Sequence, residues 1–113
     1  MTDKGMIGGS STILILSLLQ KREMYGYEIV QELAAQSDDT FRLQEGTLYP
    51  LLHSLESAGH IVSRVQVCSG RPRRYYRITE SGQTLLAERL RQWNTITGML
   101  QRLNSDPPVA EGV

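Results

Sequence analysis

The sequence predicts an α+β chain, mostly helical, and three observations carry that prediction. An apolar run and two amphipathic stretches fill the first half, each long enough for a helix. Two alternating segments follow, separated by the turn residues Ser69-Gly70-Arg71-Pro72. A narrow apolar stripe then runs from Leu86 to Leu103 at spacings of three and four.

Length and composition set the bounds. A chain of 113 residues fits one small domain with a modest core, so association with a second copy is a natural way to gain stability. With 40% hydrophobic and 21% charged residues it reads as globular rather than disordered. The 12 basic and 12 acidic side chains cancel, so any preference for a polyanion must come from how charge is distributed. Cys68 is the single cysteine, which excludes an intrachain disulfide and a thiolate metal cluster. The apolar run Ile13 to Leu19 is broken by Ser17 and falls far short of the ~20 residues that cross a bilayer. It also has no basic leader before it and no small-residue cleavage site after it, so the expected compartment is the cytoplasm, with no membrane partner.

Each element has its own reason. Residues 1–9 hold three glycines and no period, and are expected to be a flexible lead-in. Ser10 and Ser11 can cap a first helix running to Gln20; Ile13 and Ile15 would also suit a strand, but the pattern as a whole favours helix. From Gly26 to Gln36, Ile29, Val30, Leu33 and Ala34 share one face of a second helix, which Ser37-Asp38-Asp39 ends. Phe41 to Leu43 is expected to be a very short strand. A third helix, from about Gly46 to Ala58, buries Leu48, Leu51, Leu52, Leu55 and Ala58; Pro50 is placed in its first turn, and Gly59 supplies a left-handed stop. Ile61 to Cys68 and Arg73 to Ile78 form a hairpin, with Ile61, Val65 and Val67 on one face and Ser63 and Gln66 expected on the other. Thr79 caps the last helix, which reaches about Leu103, and residues 104–113, with Pro107-Pro108, are expected to be a disordered tail.

Three helices, a hairpin and a long helix are the order of a winged helix-turn-helix domain, here residues 10–78, followed by a dimerisation helix, residues 79–103. In that geometry the third helix enters the major groove and the hairpin, or wing, lies against phosphates. The charges support this. Between Ser57 and Thr79 there are five arginines, Arg64, Arg71, Arg73, Arg74 and Arg77, and no acid, so a neutral chain has gathered cations on one hairpin. The exposed side of the third helix instead offers Thr47, Tyr49, Pro50, His53, Ser54 and Ser57. With no arginine or lysine there, it cannot make the bidentate contact to guanine, and backbone contacts and DNA shape must carry much of the affinity.

These same residues carry a resemblance. Tyr25-Gly26-Tyr27-Glu28-Ile29, then Glu45-Gly46-Thr47-Leu48-Tyr49-Pro50-Leu51-Leu52 with Leu55-Glu56 and Gly59, then Gly70-Arg71-Pro72-Arg73-Arg74-Tyr75-Tyr76-Arg77-Ile78-Thr79 with Gly82, resemble the PadR family of bacterial transcriptional regulators over residues 13–93. The resemblance implies a homodimer on a palindromic operator, repression, and often release by a small molecule. The short C-terminal helix bearing Trp93 is similar to that of the small multidrug-responsive members, whose equivalent tryptophans lie at the dimer interface and sandwich flat aromatic drugs.

The expected DNA-binding set is Tyr27, Thr47, Tyr49, Pro50, His53, Ser54, Arg71, Arg73, Arg74 and Tyr76. Arg64 could pair with a helix instead. Tyr75 and Tyr76 must point to opposite faces of their strand, so one packs in the core while the other reaches a phosphate or covers the sheet. Tyr25 and Tyr27 share that ambiguity, and the resemblance places one of them near DNA. The expected dimer interface is Leu86, Leu90, Trp93, Ile96, Leu100 and Leu103, with Trp93 packing it, holding a planar aromatic effector, or both. His53, His60 and Cys68 make no sensible three-ligand set, so no metal is expected, and Cys68 reads as a small strand residue rather than a redox sensor. No phosphate loop, nucleophile triad or carboxylate pair is present, so neither enzyme activity nor a cofactor is expected. The alternative is a winged-helix module that binds protein rather than DNA, against which the arginine-rich hairpin argues.

Overall fold

In a computed structural model that describes residues 4–105, with side chains from Ser10 onward, the elements run α1 (Lys4–Leu19), β1 (Met24–Tyr25), α2 (Gly26–Gln36), α3 (Glu45–Ser57), β2 (Ile61–Cys68), β3 (Arg71–Ile78) and α4 (Glu80–Ser105). Helix α1 has no polar face in its second half, because Ile15, Leu16, Leu18 and Leu19 are all buried. A helix apolar all round belongs in the middle of a fold, and here α2, β3 and α4 all pack against it. Around it close Ile29 and Leu33 of α2, Leu48, Leu52 and Leu55 of α3, Ile61, Tyr76 and Ile78 of the hairpin, and Leu86 of α4.

The sheet is antiparallel in the order β1-β3-β2. Cys68 faces Arg71 across a two-residue turn in which Ser69 (φ 53°) and Gly70 (φ 78°) are both left-handed. Such a turn matches the natural twist of the strands it joins, so the hairpin keeps strict register from Ile61↔Ile78 outward. Val65 and Val67 share a face with Ile61 as expected, and Ser63 joins them rather than opposing them, because alternation along a regular strand puts residues two apart on one side. The two valines are 53% and 66% exposed, since the hairpin overreaches the core that buries its base.

The ends of α3 and α4 interlock. Helix α3 stops in paired bonds from His60 N–H to Leu55 O (2.9 Å) and from Gly59 N–H to Glu56 O (3.0 Å), with Gly59 at φ 84°. Thr79 caps α4: its Oγ1 accepts from Gly82 N–H at 3.1 Å and donates to Gly59 O at 2.7 Å. His60 Nδ1 and Ser81 Oγ lie 2.7 Å apart. Gly82 presses its Cα against the His60 carbonyl so closely that any side chain would collide with it.

Four boundaries differ from expectation. Helix α1 begins at Lys4, so residues 4–9 are not a loose lead-in and Ser10 and Ser11 lie inside the helix instead of capping it. Once a buried segment has nucleated a helix, adding a residue costs little, about 1 kcal/mol even for glycine. Phe41–Leu43 is not a strand; Leu43 is buried from a loop, and the third strand is Met24–Tyr25, which fills the free edge of β3. Pro50 is the sixth residue of α3, in the second turn rather than the first. Its missing N–H leaves the Gly46 carbonyl without its helical donor, which is tolerable because Gly46 is exposed to water. Helix α4 takes in Asn104 and Ser105; the rest of the expected tail lies outside the described residues.

Candidate nucleic-acid interface

Burying Leu48, Leu52 and Leu55 leaves the opposite face of α3 to solvent, and Thr47, Tyr49, Pro50, His53 and Ser54 are all exposed along it. Tyr49 is not simply projecting, however. Its ring lies on the first residue of α2, where a Cβ on Gly26 would sit 2.5 Å from the Tyr49 hydroxyl. Glycine at that position is what lets the third helix approach the second so closely.

That approach shapes a cleft of about 210 Å³ bounded by Tyr25, Gly26, Tyr27, Tyr49, Pro72, Arg73, Arg74 and Tyr76. The amino-terminal end of α2 opens onto it. The cap residue is Tyr25, whose side chain makes no capping bond, while the Glu28 carboxylate takes up the Tyr25 N–H at 3.1 Å. The start of α2, Tyr27 and Tyr49, and Arg73 and Arg74 therefore border one space. Those are the groups that bind an anion such as a phosphate oxygen.

The wing arginines divide by face and by partner. Arg64, Arg71, Arg73 and Arg77 lie on the outer face, and Arg74 on the inner face with Pro72, Tyr76 and Ser63. Arg64 grips the Glu23 carboxylate with two bonds, Nη2–Oε1 at 2.6 Å and Nε–Oε2 at 2.8 Å, and lies over the Tyr75 ring. This bonding holds the Glu23 carboxyl below the usual carboxylate range and raises the Arg64 guanidinium. The partner of Arg64 is thus a loop acid rather than a helix. Arg73 stacks on Tyr25, 4.4 Å from its centroid, and Tyr25 meets Tyr75 edge to face at 5.4 Å. Arg74 Nη1 donates to Ser63 Oγ at 3.0 Å, a neutral partner that leaves its charge unspent. Arg71 and Arg77 are exposed.

Two expected site residues are buried. Tyr76 is 6% exposed within the core, and burial pushes its phenol up; as the inward member of the Tyr75–Tyr76 pair it leaves little to offer a phosphate. Tyr75 is half-buried and touches Cys68 Sγ at 3.5 Å, a contact that raises its phenol, so it covers the sheet. Tyr27 is exposed and Tyr25 is the stacked one, which separates that pair too. Leu86 is 2% exposed in the chain's own core and drops out of the expected dimer surface. Glu23, Glu56 and Ser63, which organise the wing, were invisible in sequence because their partners lie 7 to 41 residues away.

A second region lies along α4. Leu90 is half-buried, and beyond it Trp93, Ile96, Met99, Leu100 and Leu103 are 43–73% exposed. Trp93 and Leu90 form one wall of a mostly apolar groove of about 280 Å³, completed by Ser10, Ile13, Leu14 and Ser17 of α1. The radius of gyration, 17.5 Å, exceeds the ~13 Å of a compact chain this long, as a projecting helix requires.

Residues 15–88 match the Transcriptional regulator PadR-like family. A transcriptional regulator of Mycobacterium tuberculosis is 42% identical over 74 residues, 66% of this chain and 66% of its own length. An uncharacterized protein of Lysinibacillus sphaericus is 35% identical over 94 residues, 82% of this chain and 86% of its own. Among solved structures, a transcriptional regulator from Clostridium thermocellum superposes with a TM-score of 0.81 at 30% identity, covering 88% of this chain and 98% of that one. PadR of Bacillus subtilis, in complex with operator DNA, superposes with a TM-score of 0.66 at 27% identity, covering 72% of this chain and 45% of its own.

Proposed function

The chain belongs to the PadR-like family of transcriptional regulators, and we propose that it is a cytoplasmic, homodimeric, sequence-specific DNA-binding repressor released by a planar aromatic effector. The observation that carries the DNA reading is the cleft where Arg73, Arg74, Tyr27 and Tyr49 meet the start of α2, beside the exposed face of α3. The Bacillus subtilis relative, bound to operator DNA, supports it.

In this reading residues 10–78 form the reading head. Helix α3 lies in the major groove, where Thr47, His53 and Ser54 hydrogen-bond base edges and Pro50 touches thymine methyls. Arg71, Arg73 and Arg74 bind phosphates, setting position without reading sequence. Leu90, Trp93, Ile96, Leu100 and Leu103 bury one another across a two-fold axis between copies of α4, because so long an apolar stripe is costly in water. A flat effector enters the groove at Trp93, where stacking and cation–π attraction, the latter about 0.5–2 kcal/mol, favour it. It induces only by preferring one spacing of the two wings over the other.

The test is titration of labelled duplex at several salt concentrations, with random-sequence DNA and with a site selected from a random pool. Wild type should bind both, and the selected site should be palindromic. Arg73→Ala with Arg74→Ala should weaken both equally and flatten log K against log salt by as much as ~3.6 units for four phosphates in a dimer. His53→Ala or Thr47→Val should cost about 1–3 kcal/mol on the selected site and little on random DNA. A wild-type chain that shifts no duplex at low salt would replace this reading with the protein-binding module.

A further inference from the structure

An acid stands on the DNA-facing side of this chain. Glu56, in the last turn of α3, is half-buried beneath the wing, and its Oε2 accepts the Ser63 hydroxyl at 2.7 Å. The same Ser63 oxygen accepts from Arg74 Nη1 at 3.0 Å. Ser63 faces Tyr76 across the hairpin, so the relay Glu56–Ser63–Arg74 joins α3 to the inner face of β2 and β3. Tyr76 registers both ends, its phenol being raised mainly by burial and then moved in opposite directions by Arg74 and Glu56.

The chemistry of the relay is directional. A serine hydroxyl has one proton to give and two lone pairs to offer. With its proton donated in a hydrogen bond to Glu56, the serine oxygen can only accept a further bond, and it is polarised toward a cation. Arg74 thereby spends one N–H on the protein, and the rest of its fork stays free. Because Ser63 stands between them, the carboxylate aims the guanidinium without pairing with it. A long exposed side chain held in this way loses less freedom when it meets a phosphate.

We propose that Glu56 is a positioning residue for DNA binding, holding Arg74 through Ser63 at a fixed distance from the recognition helix. The inference rests on the DNA-binding reading of the wing. It makes an unusual sign prediction. Removing an acid from a DNA-binding face ordinarily tightens binding, whereas removing this one should weaken it.

The test compares E56A, E56Q and S63A with wild type in the full chain, each checked for an unchanged Tm, using random-sequence duplex as the probe. E56A and S63A should each weaken binding by up to about tenfold, the cost of ordering a freed arginine at the interface, and together should do no worse than either alone. E56Q, which keeps an acceptor for Ser63, should stay near wild type. In an R74A background E56A should leave binding unchanged or slightly tighter, because only repulsion is then removed. Tighter binding by E56A in the wild-type background, or equal losses with and without Arg74, would overturn the proposal. A second measurement needs no DNA: side-chain 15N relaxation should show the Arg74 guanidinium ordered in wild type and mobile in E56A and S63A. Equal mobility in all three would defeat the relay. Loss of DNA binding in wild type alone would defeat the functional reading instead.

Discussion

The two halves of α4 carry the same apolar repeat and meet opposite fates. In the first half, Gly82 and Leu86 are buried against the body of the chain; in the second, Trp93, Ile96, Leu100 and Leu103 stand in the open. No change in spacing marks the crossover near Leu90. Periodicity says which side of a helix is apolar, and says nothing about whose surface will cover it. That is why Leu86 was expected at an interface between copies and is found in the core.

The sharpest way to break the comparison is to cut both halves. Leu86→Ala should destabilise each protomer by about 2–5 kcal/mol, as for any large side chain lost from a packed core, and denaturant unfolding would measure it. Leu100→Asp should leave the secondary structure intact by circular dichroism and shift the sedimenting species from dimer to monomer. A wild-type chain that sediments as a stable monomer, or a Leu100→Asp chain that unfolds like Leu86→Ala, would erase the distinction between the halves.

A smaller effect sits at the junction, where Trp93 joins the groove of α1 to the exposed stripe. As the single tryptophan it reports on its own surroundings. Planar aromatic compounds should quench its emission and weaken DNA binding together, and Trp93→Ala should lose the ligand while retaining dimer and DNA binding. Ligands that quench without moving DNA affinity would leave a pocket and remove the regulatory claim.

The smallest effect tests the same contrast, bound against free, within the wing. Arg64 is tied to Glu23, whereas Arg71 is exposed. The folded pKa of Glu23 lies below its ordinary value, chiefly through the Arg64 hydrogen bond. Its contribution to stability is therefore complete above the unfolded value of about 4.3 and is lost as pH falls through the lowered one. Glu23→Gln should flatten that acid-side loss in a thermal-melt series and lower the melt near pH 7 by a matching amount, small because the pair is largely open to solvent. An acid-side slope identical to wild type would show that the pair carries no such linkage.

What sequence could and could not reveal follows from the range of each interaction. Leu48, Leu52 and Leu55 announce α3 because a helix repeats within itself, and Thr79 announces the start of α4 because a cap acts over three residues. Strand β1 has two residues and therefore no period; only the free edge of β3 defines it. The arginine count on the wing was readable, but the division of labour was not, since Glu23 reaches Arg64 across 41 residues. Which of two adjacent tyrosines faces inward was likewise settled by register and not by residue type.

The junction of the wing with α4 has a mechanical consequence. One residue, Thr79, separates the end of β3 from the start of α4, and the His60 carbonyl pressed on Gly82 leaves no slack between them. Hairpin and helix thus form a bent lever with a short, tightly packed elbow. Eight strand residues make an arm of about 26 Å at ~3.3 Å each. A rotation of α4 by about 5° therefore carries the wing tip roughly 2 Å sideways, most of a hydrogen-bond length.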